Sequence, residues 1–465
     1  MDIKRIIASP AELLKSVEGV EGDIKVKEIR SLITEIAVVK EEIKRLKKSK
    51  GEVSGKFKKT AEGSEAYALL VSEMQTVSQL LRSQEECYKQ LEKRLIRVVE
   101  NVFSTNAALP PIQKIEEGCS FGDLYRIREL AINEWDIWFS YVGSRHTSAY
   151  HQRPWPKVIE QSFGHPTRIW VAEAVDGTVL GGVPLVFFNT KLFGKFAVSI
   201  PYFNYGGVVS SWINVARDLL THLRQVGAEE GLSYIEVRTM QANLHHNVST
   251  KKVSMILNLP PTNEELEERL GAKVRAQYKK AEENFPEIRF GKEDLLEDFY
   301  QVFAQNMRDL GTPVYHKRWF ANILANDQIH SFIAVVYVNS RPVSCGFMIG
   351  HGEMLEIPWA STIKAANPMN ANMWMYRHIL GFAIQQGYRF FDFGRSTVNA
   401  GTYRFKKQWG AKPYPHYWYY LSEDENRASD LNPDNPKYKL MIAGWKLLPV
   451  WLTKIIGPII VADIP

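Results

Sequence analysis

One order of elements runs twice through this chain, and it narrows the folds open to it. In the first run TRIWVAEA and VLGGVPLVFF flank Asp176-Gly177, and AVSIPYFNYGGVV follows as a further strand. A helical stretch from Asn214 to Glu230 and a strand from Leu232 to Arg238 complete it. In the second, HSFIAVVYV and RPVSCGFMIG flank Asn339-Ser340, and MLEIPWAST follows. A helical stretch from Met373 to Gln386 and a strand from Tyr388 to Phe393 close that run. Short runs rich in β-branched residues, bounded by such turn pairs, read as strands and hairpins. Hairpin, strand, helix, strand, taken twice, predicts two α/β domains with mixed sheets, side by side.

The N-terminal region has a different period. From Ile29 the seam positions are Leu32, Ile36, Val39, Ile43, Leu46 and Val53; after a polar break from Lys48 to Gly63 they resume at Leu70, Met74, Val77, Leu81, Gln84, Tyr88, Leu91, Leu95, Val98 and Val102. Steps of three and four mark a coiled-coil seam, and two such helices on a short linker fold back as an antiparallel hairpin, each burying its seam on the other. Around the turn lie Lys44, Arg45, Lys47, Lys48, Lys50, Lys56, Lys58 and Lys59, with Glu52 the only acid among them. A charge density of this kind suits phosphate backbone, or else serves as a solubilising tip. The expected organisation is an arm over residues 1–110, domains over 111–255 and 256–430, and an apolar tail over 431–465.

Composition narrows the function classes. The 465 residues are 45% hydrophobic and 12% aromatic, so most of the chain is expected to be globular. Cys87, Cys119 and Cys345 are far apart, which fits a reducing compartment and argues against a zinc site. No apolar leader opens the chain and no apolar run is long enough to span a bilayer, so a cytoplasmic location is expected. The net charge of +6 decides nothing about partners, and only its distribution can.

The richest stretch is FDFGRSTVNAGTYRFKKQWG, Phe391 to Gly410. It reads as a buried strand ending at Gly394, a polar loop, and a short cationic helix. Arg395, Arg404, Lys406 and Lys407 gather there beside Tyr403, Phe405 and Trp409. Fixed cations just past a strand end suit an anionic ligand or a developing oxyanion, although a solvated basic helix face has the same spacing.

Residues 130–465 resemble the FemAB family of tandem GNAT-fold acyltransferases, in particular the members associated with exosortase (PEP-CTERM) and exopolysaccharide loci. The segments that carry the resemblance are FGH at 163–165, IPYFNYGG at 200–207, RDLGTPVYHKRWF at 308–320, EIPWAS at 356–361, FDFGRS…GTYRFKKQWG at 391–410 and NPDNPKYKL…LPVWLTKIIGP at 432–458. Residues 25–110, with IKRLKKSKGEVSGKFKKTAEGSEAYALL, are similar to the tRNA-binding arm of seryl-tRNA synthetases, although no synthetase catalytic domain follows.

The resemblance implies an α/β fold of two tandem GNAT-like domains behind the coiled-coil hairpin. It also implies transfer of an aminoacyl group from charged tRNA to an amine of an envelope precursor or secondary metabolite, with no cofactor. The lysine of the family's G-x-x-x-F-K motif, taken to stabilise the oxyanion, falls on Lys406, with Lys407 as its neighbour in register. Asp392 and Arg395 would assist it. Arg308, Tyr315, His316, Trp359, Tyr403, Arg404, Asn204 and Tyr205 would line the substrate cleft, and the lysines of the arm would hold the tRNA. CoA-dependent relatives cradle pyrophosphate on a glycine-rich loop at a helix start. Here that place is STIKAANPMNANMW, Ser361 to Trp374, which contains no glycine. A CoA-dependent N-acyltransferase with a protein-docking arm is the alternative. The tail is expected to dock as one or two short helices, with peripheral membrane contact a further option and the oligomeric state open.

Overall fold

A computed structural model describes residues 24–57, 60–61, 64–103, 125–145, 147–191, 193–422 and 436–465. Helices α1 (Ile24–Phe57) and α2 (Glu65–Phe103) form the expected antiparallel hairpin. The helix does not break at Lys48. It runs on to Phe57, because Val53 is still in the seam and buried, and one apolar anchor outweighs the weak helix propensity of Gly51 and Gly55. Lys58 and Lys59 lie outside the described residues.

The root of the arm is fastened to the body. Ile29, Leu32, Ile36 and Val39, with Leu91 and Leu95, enter the same core as Trp170, Leu219 and Ile235 of the first domain. Each such side chain contributes about 1.5–3 kcal/mol on burial. Buried Arg145 donates to Ser31 Oγ at 3.0 Å and Glu35 Oε1 at 2.9 Å, and its guanidinium lies 4.0 Å from the centroid of the Tyr141 ring.

The first domain supplies β1 (Tyr125–Glu129), β2 (Thr167–Ala174), β3 (Val179–Thr190), β4 (Gly194–Val198) and β5 (Val209–Ser210). Helix α3 (Ile213–Glu229), β6 (Ile235–Thr239) and β7 (Val248–Ser249) follow. The second domain supplies β8 (Lys252–Asn258), β9 (Glu287–Gly291), α4 (Leu296–Leu310), β10 (His330–Val338), β11 (Arg341–His351) and β12 (Met354–Thr362). After these come α5 (Ala371–Gln385), β13 (Phe390–Thr397), α6 (Gly401–Lys407) and β14 (Lys412–Pro415). The chain then returns, and β15 (Tyr417–Leu421) is laid between β6 and β7, so the first sheet is ordered β1-β2-β3-β4-β6-β15-β7, with β5 on β3. The second sheet is ordered β14-β8-β13-β12-β11-β10-β9. The tail forms α7 (Pro436–Trp445) and α8 (Val450–Ala462).

Among the described strands, each sheet has one parallel pair, β4 with β6 and β12 with β13, joined by the crossover helices α3 and α5. The predicted hairpin turns are present. Asn339 and Ser340 both take positive φ, 50° and 59°, as a tight two-residue hairpin turn requires.

Two strand ends differ from expectation. AVSIPYFNYGGVV is not one strand, because β4 stops at Val198 and the chain turns through Ile200 (φ 47°) and Tyr202 (φ 72°). The strand that should end at Gly394 continues to Thr397. Gly394, at φ 76°, absorbs a bulge in the pairing with β8 between Asp392 and Arg395.

The domains share an aromatic seam. Phe203 of the first lies 5.8 Å from Trp319 and 5.7 Å from Trp359 of the second, centroid to centroid, and Phe163 lies 4.9 Å from Trp319. The segments at 163–165, 200–207, 308–320 and 356–361, far apart in sequence, all converge on it.

Candidate active site

The two parallel strands of the second sheet pair over only three positions, Met354 with Phe390, Leu355 with Phe391 and Glu356 with Asp392. Beyond that last pair, β12 continues on β11 and β13 on β8, so the strands splay apart. Residues aligned across a parallel pair share a face, so the splay opens between two buried carboxylates.

Each carboxylate is held from the first domain. Tyr150 donates to Glu356 Oε2 at 2.7 Å and Asn204 Nδ2 to Glu356 Oε1 at 3.3 Å; Tyr205 donates to Asp392 Oδ2 at 3.4 Å, and Gly394 N–H to Asp392 Oδ1 at 2.8 Å. Burial pushes both groups up. Asp392 reaches about 6, and Glu356, which also faces the charge of Asp392, rises well above the ordinary carboxylate range.

Lys406 enters this site from the last turn of α6. It is buried, whereas its neighbours Arg404 and Lys407 are exposed. Its Nζ donates to the carbonyls of Gly394 and Arg395, both at 2.9 Å. An ammonium has three N–H bonds, so one remains for a ligand. Burial lowers its pKa to about 8, with Asp392 opposing the shift and Arg395 adding to it.

Arg395 is exposed, and desolvation and nearby Arg238 lower its pKa. Its guanidinium lies 5.2 Å from the Trp418 ring, and that of Arg238 lies 4.4 Å from it. Tyr315 and Trp359 stand together in the aromatic seam, 6.1 Å apart, and Tyr403 is half-buried on α6.

Two predicted cleft residues are occupied elsewhere. Arg308 donates to Asp309 Oδ1 at 2.7 Å and to the Leu448 carbonyl at 3.1 Å, which ties down the tail. Exposed His316 caps the helix Lys317–Leu324 by accepting from Arg318 N–H at 2.9 Å. At the arm's turn, Lys44, Arg45 and Lys47 pair with Glu41, Glu42 and Glu85, acids that a count within the turn alone overlooks; Lys48, Lys50 and Lys56 are exposed.

Glu356, Tyr150 and His416 also stand at this site, although none is among the residues expected from the sequence. Glu356 had a signal, a lone charge inside an apolar strand. His416 is fully buried, with Nε2 3.0 Å from Ser254 Oγ, and desolvation beside Arg395, Arg238 and Lys406 lowers it to about 3, so it is neutral. Asn204 and Tyr205 belong to the site, in contact with its carboxylates.

Where CoA-dependent enzymes open a helix on a glycine-rich loop, the stretch Lys364–Met369 is a tight 3-10 segment containing Pro368. It ends on Asn370 in the left-handed conformation (φ 54°), and α5 follows.

Residues 269–407 match the family described as Acetyltransferase (GNAT) domain. The matched span contains Glu356, Asp392, Arg395 and Lys406, so the second domain is an acyltransferase domain. Among solved structures the chain is similar to FemX (13% identity, TM-score 0.47, covering 68% of this chain and 100% of that one). It is also similar to L-PGS from Bacillus licheniformis (12%, 0.42, 67% and 95%) and to a tandem GNAT protein from the clavulanic acid biosynthesis pathway (9%, 0.43, 64% and 97%). No curated protein matches the chain in sequence.

Proposed function

We propose that this acyltransferase moves an aminoacyl group from charged tRNA to an amine on an envelope precursor or secondary metabolite, forming an amide. The observation that carries the reading is the placement of Lys406: a buried ammonium with one N–H to spare, at the splay, beside a carboxylate raised to about 6. Asp392 takes the proton from the attacking ammonium, and Tyr205 holds its second oxygen. The neutral amine attacks the ester carbonyl. Lys406 donates to the oxyanion as it forms, in a site where burial strengthens the interaction. Collapse breaks the ester C–O bond and returns the tRNA 3′-terminal hydroxyl, protonated from the amine nitrogen as the amide forms.

The donor assignment rests on two features. The 3-10 segment ahead of α5 presents no glycine to a pyrophosphate. The arm, rooted on the first domain, carries Lys48, Lys50 and Lys56 exposed near its turn, as a tRNA-gripping arm requires. A second reading, an acyl-CoA donor, is favoured by the description of the matched family as an acetyltransferase domain.

Transfer of a labelled amino acid from charged tRNA, abolished by RNase, is the expected result. Transfer that survives RNase and requires acyl-CoA would sink the reading. Replacing Lys48, Lys50 and Lys56 by Ser should lower the slope of log affinity for tRNA against log salt by about 2–3. An unchanged slope would remove the arm from tRNA binding.

A further inference from the structure

Helix α8 has no polar side. Thr453, Gly457 and Val461, spaced by four, face the body. Gly457 sits so close to Val314 that a methyl group there would come within 2.9 Å of its backbone nitrogen. The residues at the same spacing on the other side are Trp451, Ile455 and Ile459, and they are 64%, 58% and 71% exposed. Leu447 and Met441, just before α8, are exposed as well. A helix whose one charged side chain is Lys454 and whose other residues are almost all apolar belongs inside a protein or at a lipid boundary, and half of this one is in neither place. At 13 residues it is too short to cross a bilayer, and no described helix is long and apolar enough to do so.

Charge indicates what covers the exposed face. From Pro436 to Ala462 the sequence contains Lys437, Lys439, Lys446 and Lys454 and no Asp or Glu. Lys446 is exposed directly before Leu447, and the Lys454 Nζ lies 5.3 Å from the centroid of the Tyr300 ring at the edge of the body. A tryptophan and branched aliphatics on one face, with four lysines against the single acid Asp463 over residues 436–465, match the boundary of a negatively charged bilayer. There the apolar side chains leave water and the lysines meet headgroups. A second copy of this chain would bring the same lysines against each other, which disfavours self-association through this face.

We propose that the face of α8 carrying Trp451, Ile455 and Ile459 is a docking surface for an anionic lipid bilayer, lying in its interface without crossing it. The docked helix is fixed to the site-bearing loop. The Ala462 carbonyl, at its end, accepts from Tyr202 OH and from His165 Nε2, each at 2.9 Å. Two residues after Tyr202, Asn204 reaches Glu356. The bilayer would therefore lie near the mouth of the cleft. This docking does not depend on which donor the enzyme uses.

The test is co-sedimentation of the full chain with phosphatidylglycerol–phosphatidylcholine vesicles and with phosphatidylcholine vesicles alone. Binding to the anionic vesicles is expected. In the triple variant Trp451→Ser/Ile455→Ser/Ile459→Ser it should fall by about a thousandfold, since each buried apolar side chain is worth about tenfold, with the thermal melt unchanged. Lysines at the arm's turn are also drawn to anionic lipid, so this variant, which leaves them intact, carries the test. Lys446→Glu should weaken binding to the anionic vesicles alone. Failure of the wild-type chain to bind, equal binding by the triple variant, or equal binding to neutral vesicles would each overturn the proposal. So would a wild-type dimer that the triple variant dissolves.

Discussion

The two sheets reach the same point of their fold with different chemistry. In each, the last residue paired across the parallel strands on the side after the crossover helix is an acid, Glu236 in the first sheet and Asp392 in the second. Two residues further along stand Arg238 and Gly394. In the first sheet Arg238 Nε donates to Glu236 Oε1 at 2.5 Å and Nη1 to the Phe203 carbonyl at 2.9 Å, so the acid is neutralised by its own strand. In the second, the glycine offers Asp392 a backbone N–H, and its carbonyl accepts from Lys406 of another element. The partner position across the pair is Val198 in one sheet and Glu356 in the other. One splay is closed by an ion pair. The other is held at a cost in stability, as a site that must do chemistry often is.

Asp392→Asn should break this contrast most strongly, lowering transfer by roughly 10²–10⁴-fold and removing the acid limb of the rate profile near pH 6. The same variant should stabilise the fold. Asp392 titrates near 3.8 unfolded and near 6 folded, so the folded chain holds the extra proton between those values. Its contribution is complete below about pH 4 and lost as pH rises through 6. At pH 7 the asparagine should therefore melt higher, by on the order of 2–3 kcal/mol. A rate loss without a rise in stability would mean that the carboxylate is structural.

Lys406→Met should reduce turnover by roughly 10²–10³-fold, the size seen when an oxyanion donor is removed. Lys407→Met, on the exposed neighbour, serves as the control and should leave turnover within about threefold. Glu236→Gln addresses the other splay. It strands a buried guanidinium and should cost about 3–5 kcal/mol in chemical denaturation, with turnover per folded molecule nearly unchanged. Glu356→Gln should lower turnover by at most about tenfold, because burial and the charge of Asp392 push that carboxyl toward its neutral form, which glutamine resembles. A large loss there would make Glu356 the base in place of Asp392.

The repeat, the arm and the tail helices were legible because each rests on local periodicity and turn chemistry. Lys406 and Asp392 were legible because both fall in one short stretch. The carboxylate pair was not, since Glu356 lies on a different strand and its partner Tyr150 is 206 residues away in the chain. His416 reads as part of an aromatic strand, and only the fold sets it beside three cations. The end of β13 was misplaced because a glycine read as a stop in sequence is, in the sheet, the residue that lets the strand bulge and continue.

The return of β15 to the first sheet sets an order on biosynthesis. Strand β6, whose Ile235–Thr239 pair with Leu421–Tyr417, lacks that neighbour until the whole second domain has left the ribosome. The domain made first is finished last. Cutting the chain between its two sheets would free neither, and a nascent chain stalled before Tyr417 would leave the edge of β6 open to pairing with another molecule.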